Sequence, residues 1–187
     1  NYSKMTAKNL LSGTAIGTLV MFFWGATEWF NPLLHLPYKT ASNPDIVNKT
    51  LNDNMPESGM YIWPNGNETK TEDGKAKEIV YFIAKNNASF YNPNKFMPVE
   101  LLTQVAIWFI VTYLLLLTGF QKHWQRVRFT LIIGLLVGLT FFLPLWNWWG
   151  FSTEYVIVRW TNIMLGWFLA ASAVSYILRN KIKPIKS

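Results

Sequence analysis

The chain has no cysteine. That excludes disulfides, thiolate nucleophiles, cysteine-held iron–sulfur clusters and covalent haem c attachment. Histidine is almost as scarce. His35 and His123 are the only two, and they fall in segments that the topology below puts on opposite sides of a membrane. They can therefore neither ligate one haem b together nor share a metal site. No Glu-x-x-His sequence occurs, the acids are too scattered for a di-metal carboxylate site, and no glycine-rich phosphate loop follows a strand. No Ser-His-Asp set assembles on one side. The expectation is a protein without a catalytic centre, metal or cofactor, with an aromatic-lined quinone or lipid site left open.

Charge is also sparse: 14% of the 187 residues, with 17 Lys and Arg against 10 Asp and Glu. A net charge of +7 in a soluble protein would suggest nucleic acid, but here the basic residues cluster just outside long apolar runs, which is a topology signal. What is abundant is apolar and aromatic: 51% hydrophobic residues and ten Trp. Aromatic excess of this kind belongs to membrane interfaces.

Four apolar stretches are long enough to cross about 30 Å of hydrocarbon: Asn9–Phe30, Val99–Phe120, Phe129–Trp149 and Tyr155–Leu178. The first is too long for a signal-peptide core and runs into Glu28, Trp29 and Pro32 instead of a small-x-small cleavage site, so it reads as a retained span. Lys4 and Lys8 precede it. "QKHWQRVR" between the second and third spans carries Lys122, Arg126 and Arg128. The tail carries Arg179, Lys181, Lys183 and Lys186. With four spans these three segments share one side, which the positive-inside rule makes cytoplasmic. Both termini are expected inside a bacterial inner membrane, with residues 31–98 outside.

The outer segment, residues 31–98, is too long for a plain loop. Asn43-Pro44-Asp45 is helix-start chemistry, with Ile46, Val47 and Leu51 as an apolar side. "GMYIWP" after Gly59 and "EIVYFIAK" at Glu78–Lys85 read as short strands, joined by the polar "NGNETKTEDGK". The spacing predicts a small helix-plus-hairpin cap lying on the outer ends of the spans. The expected fold is an all-α membrane protein: a four-helix transmembrane bundle with a small α+β extracytoplasmic cap between its first two spans. Its parts are residues 1–30, 31–98 and 99–187. Four glycosylation-type sequons, at Asn1, Asn48, Asn67 and Asn87, are mostly what chance gives a chain with sixteen Asn; the alternative is glycosylated loops in a eukaryotic protein.

Glycines four apart mark the packing faces: Gly13 and Gly17 in the first span, Gly134 and Gly138 in the third. Such pairs let helices approach closely in lipid. The fourth span adds Gly166, Ala170 and Ala173. At about 100° per residue, Gly13, Gly17, Trp24 and Glu28 share one face. Arg159, Asn162, Gly166, Ala170 and Ala173 share another. Glu28 and Arg159 both lie near the outer ends of their spans. An intramembrane charge normally faces inward with a partner, so Glu28 is expected to pair with Arg159, either alone or in a small network with Asn162, to which Glu154 is a further candidate. The alternatives are that each snorkels separately to the interface or pairs with another chain. "PLWNWWGF", Pro144–Phe151, places Trp146, Trp148 and Trp149 at the outer interface, as an aromatic belt or as a lipid or partner contact. Pro144 should kink or end its helix.

"FFWGATEWFNPLL", "NDNMPESGMYIWP" and "WWGFSTEYVIVRWTNIMLGWFLAASAV" together resemble a loose family of bacterial four-span membrane proteins of no assigned activity. Its members have Trp-Gly near the end of the first helix, an outer Pro-Glu-x-Gly-x-Tyr turn and a Gly-Trp-Phe-Leu-Ala segment in the last helix. The resemblance implies the fold and the membrane location, and carries no catalytic residues. Glu28-Trp29-Phe30-Asn31-Pro32 departs from the more apolar family stretch. The functional expectation is a non-catalytic accessory subunit of a larger inner-membrane complex, respiratory or otherwise energy-transducing. Its partners are the lipid bilayer and other membrane subunits, with no nucleic acid. The alternatives are an autonomous lipid- or small-molecule-handling protein, with a pocket near Glu28, Arg159 and the Trp cluster, and a quinone-using enzyme subunit. A transporter is disfavoured: no inverted repeat is evident and the middle of each span is largely apolar.

Overall fold

The computed structural model describes residues 7–55, 57, 59–63, 80–84 and 93–179. The sequons at Asn1, Asn67 and Asn87, the polar link after the first strand, and Lys4, Lys181, Lys183 and Lys186 lie outside them. The chain divides into two units. One comprises residues 1–38 and 94–187, the other residues 39–93.

The first unit is built on α1 (Ala7–Ala26), α3 (Pro93–Thr118), α4 (His123–Asn147) and α5 (Thr153–Ile177). All four are long and apolar enough to cross a membrane, which fits a multi-pass membrane protein. Their ends are set by local chemistry. Gly119 has φ +64° and closes α3 in the left-handed conformation that only glycine adopts without strain. Gly150, φ +66°, does the same in the turn before α5. The Gln125 side chain accepts from the Lys122 N–H at 3.1 Å and starts α4. Ser152 caps α5, its hydroxyl accepting from the Tyr155 N–H at 3.2 Å. α3 begins six residues earlier than the sequence suggests and carries Pro98 within it. At the sixth position Pro98 has no N–H for the carbonyl four residues back, and the helix runs on past it to Thr118. Pro144 does not stop α4, which ends three residues later at Asn147. α1 stops earlier than expected, at Ala26, and tightens into a 3-10 turn over Thr27–Trp29.

The core lies where α1, α3 and α5 meet. It contains Met21, Trp108, Val111, Leu115, Trp167, Ala170 and Val174. Between lipid-embedded helices there is no hydrophobic driving force, so close packing must hold them. Here the glycines are seats for indole rings. Trp108 of α3 fills the notch at Gly17 of α1, Trp24 of α1 that at Gly166 of α5, and Trp160 and Trp167 of α5 those at Gly138 and Gly134 of α4. The nearest atoms to each notch are ring atoms rather than a facing backbone; Thr112 takes this place at Gly13. A large flat ring against bare backbone makes many contacts of about 0.1–0.2 kcal/mol each.

In the second unit, α2 (Pro44–Asn54) begins as expected, with the Asn43 side chain accepting from the Ile46 N–H at 3.2 Å. Strands β1 (Gly59–Trp63) and β2 (Val80–Ala84) pair antiparallel, with Tyr61 opposite Phe82. The expected packed cap is not supported. α2 buries none of its residues, and its apolar side, Ile46 and Val47, is exposed. Two strands alone lack the layer that would make them independently stable.

Candidate functional site

Of the expected site residues, the structure brings Glu28, Arg159 and Asn162 together. Glu28 stands in the 3-10 turn that follows α1, held by the Thr27 hydroxyl donating to the Trp24 carbonyl at 2.6 Å. Arg159 and Asn162 lie three residues apart on α5 and point the same way, as helical neighbours do. Arg159 Nη1 donates to Glu28 Oε2 at 2.7 Å and Asn162 Nδ2 donates to Glu28 Oε1 at 3.0 Å. Both carboxylate oxygens are therefore engaged. Trp24, one turn before Glu28, donates its indole N–H to the Asn162 carbonyl at 3.0 Å. The same ring fills the Gly166 notch, so one side chain serves both the packing and the polar seam.

Tyr38 is the member that periodicity did not indicate. It follows the 3-10 turn Pro32–Leu34, which Asn31 caps by accepting from the Leu33 N–H at 3.0 Å. Arg159 Nη2 donates to the Tyr38 hydroxyl at 2.6 Å. The guanidinium lies 5.7 Å from the Tyr38 ring and 5.8 Å from the Tyr155 ring, and the two rings meet edge to face. The arginine thus has an acid, a phenol and two aromatic faces around it. Glu154 lies exposed in the first turn of α5.

The other predicted residues are distributed by role. Gly13, Gly17, Gly134, Gly138, Gly166 and Ala170 are buried in helix contacts. Trp146, Trp148 and Trp149 are exposed at the end of α4, and Trp146 donates to the Thr153 hydroxyl at 3.2 Å. His35 is exposed beside Tyr38. His123 opens α4, and its carbonyl accepts from the Ser175 hydroxyl.

A second polar node was missed entirely. Arg126, read from sequence as a topology charge, is 1% exposed. Its Nε donates to Ser175 Oγ at 2.9 Å and its Nη2 to the Ser175 carbonyl at 3.1 Å. Nη1 donates to the carbonyls of Phe120 and Gln121, at 2.8 and 2.9 Å. The charge is met by carbonyls at and beyond the ends of α3 and α5, where helix dipoles are negative. A sequence signal existed: Arg126, Thr130, Gly134 and Gly138 are spaced by four, and all are buried.

Among the described residues no group of three or more His, Cys, Asp or Glu could hold a metal ion. A groove of about 390 Å³ runs along α4 and α5 between Leu131, Leu135, Ile157, Trp160, Met164 and Phe168. It is apolar and is lined by neither Glu28 nor Arg159. Comparison with models of protein families, with curated proteins and with solved structures finds no match.

Proposed function

We propose that the chain is a non-catalytic accessory subunit of a larger bacterial inner-membrane complex, respiratory or otherwise energy-transducing. One observation carries this reading. The carboxylate of Glu28, in the 3-10 turn that follows α1, has both oxygens bonded within the bundle. A group so engaged fastens α1 to α5 and presents no free acid to a substrate. Arg126 fastens α4 to α5 and to the α3–α4 turn in the same way. Meanwhile α3 turns Leu102, Phe109 and Ile110 outward, an apolar face suited to lipid and neighbouring spans. Lys8, Lys122, Arg128 and Arg179 gather at one end of the bundle, which supports cytoplasmic termini and an extracytoplasmic segment 31–98.

The test is gentle detergent extraction from the native membrane, a native gel, and mass spectrometry of the band. A discrete assembly with other membrane subunits is the expected outcome. Migration as a lone 21.7 kDa chain in its detergent micelle would overturn the proposal.

A further inference from the structure

We propose that the α4–α5 groove, with the arginine at its mouth, is a binding site for an anionic phospholipid. The inference rests on the four helices being membrane spans, and is independent of the subunit reading. Trp124, Arg128, Leu131 and Leu135 follow one another along a single stripe of α4, at intervals of four, three and four residues. The last two line the groove. From α5 the groove is walled by residues from Ile157 to Phe168, about 16 Å of helix. That is roughly half the ~30 Å hydrocarbon thickness, a length suited to an acyl chain.

The mouth is defined as well as the walls. Trp124 is exposed, yet its ring stacks on Phe168 with centroids 6.4 Å apart and planes 21° from parallel. An indole in that position gives an apolar face to a chain and an N–H to a headgroup. Arg128 stands between Trp124 and Leu131, exposed, one and a half turns inside a span. Among the described residues no carboxylate pairs with it. A charge on a lipid-facing stripe needs an anion or a route to water, and a lipid phosphate supplies the anion at the right place. Arg179, two residues past the end of α5, is already occupied by the Tyr176 ring, 4.1 Å from its guanidinium, which leaves Arg128 as the cation of the stripe. An arginine without a carboxylate partner on the stripe that lines an apolar groove matches a negatively charged headgroup beside an acyl chain. Each basic side chain near an anionic headgroup is worth about fivefold in affinity.

The full-length chain in detergent is mixed with phosphatidylglycerol or with phosphatidylcholine of the same acyl chains. Lipid retention is read by native mass spectrometry. The expected result is preferential retention of phosphatidylglycerol, reduced about fivefold in Arg128→Gln and kept in Arg128→Lys. Leu135→Trp, which fills the groove, should lower retention of both lipids. Equal retention of the two lipids by the unaltered protein overturns the proposal, whatever the variants do. An unchanged preference in Arg128→Gln, or unchanged retention in Leu135→Trp, overturns it too. Release of the chain from membranes without detergent would instead refute the membrane premise.

Discussion

Replacing Arg159 with methionine removes the cation from Glu28 but keeps a side chain of similar length against Tyr38 and Tyr155. Glu28 then retains only the Asn162 amide. The cost is bounded by two limits. An exposed ion pair contributes about 0–1 kcal/mol, whereas stripping one partner from a buried pair costs about 3–5 kcal/mol. The side chains here are 19% exposed for Arg159 and 35% for Glu28, between those limits and nearer the exposed one for the acid. A loss of about 1.5–3 kcal/mol follows for Arg159→Met. Glu28→Gln should cost less, about 1 kcal/mol, because the amide oxygen still accepts one bond and Arg159 keeps its Tyr38 bond. The double variant should cost little more than Arg159→Met alone, since both changes remove the same interaction. The coupling is then about 1 kcal/mol, above the ~0.3–0.5 kcal/mol scatter of independent sites. The assay is unfolding in mixed micelles by increasing SDS, followed by tryptophan fluorescence, for all four proteins. Additive losses within that scatter would show that the two groups, 2.7 Å apart in the structure, do not hold α1 to α5.

Two further substitutions probe the rest of the bundle. Gly166→Val sets a branched side chain where Trp24 and the Met21 sulfur already stand, and should cost at least about 2 kcal/mol by overpacking. Shrinking the ring with Trp24→Leu in the same chain should recover part of that loss in the same SDS titration, whereas a larger loss would contradict the seat. Arg126→Met takes the donor from the buried Ser175 carbonyl and from the part-buried carbonyls of Phe120 and Gln121. It should cost about 2–4 kcal/mol, read as a lowered midpoint of thermal unfolding in detergent. A change within 0.5 kcal/mol would mean that this arginine serves topology alone.

The spans and the facing of Glu28 and Arg159 are legible because both follow from periodicity and depth. A stripe at 100° per residue and a count from each helix end suffice. The glycine rows are legible for the same reason, but their occupants are not. Trp24, Trp108, Trp160 and Trp167 resemble the interfacial tryptophans in composition, and only packing separates a ring seated on Gly138 from one exposed like Trp148. Tyr38 escapes because it lies in a connection without a period. Arg126 escapes because a basic residue beside two others reads as a topology charge. The four-residue row it shares with Thr130 and Gly134 is its only distinguishing mark. A packed cap is not legible from the same signals, and α2 buries none of its residues. Helix-start and strand signals are local, and α2 and the β1–β2 pair form where expected, but a cap needs a shared apolar layer that local signals do not report.

The Glu28–Arg159 bond also sets a condition on how the chain is made. Its two halves are separated by 131 residues. At a synthesis rate of roughly 5–20 residues per second, Glu28 leaves the ribosome about 7–26 s before its partner exists. For that interval the first span stands in the bilayer without the arginine that pairs with its acid in the folded bundle. Water, headgroups or an insertase must stabilise that acid there until α5 arrives, so closure of the α1–α5 seam waits on the synthesis of α5.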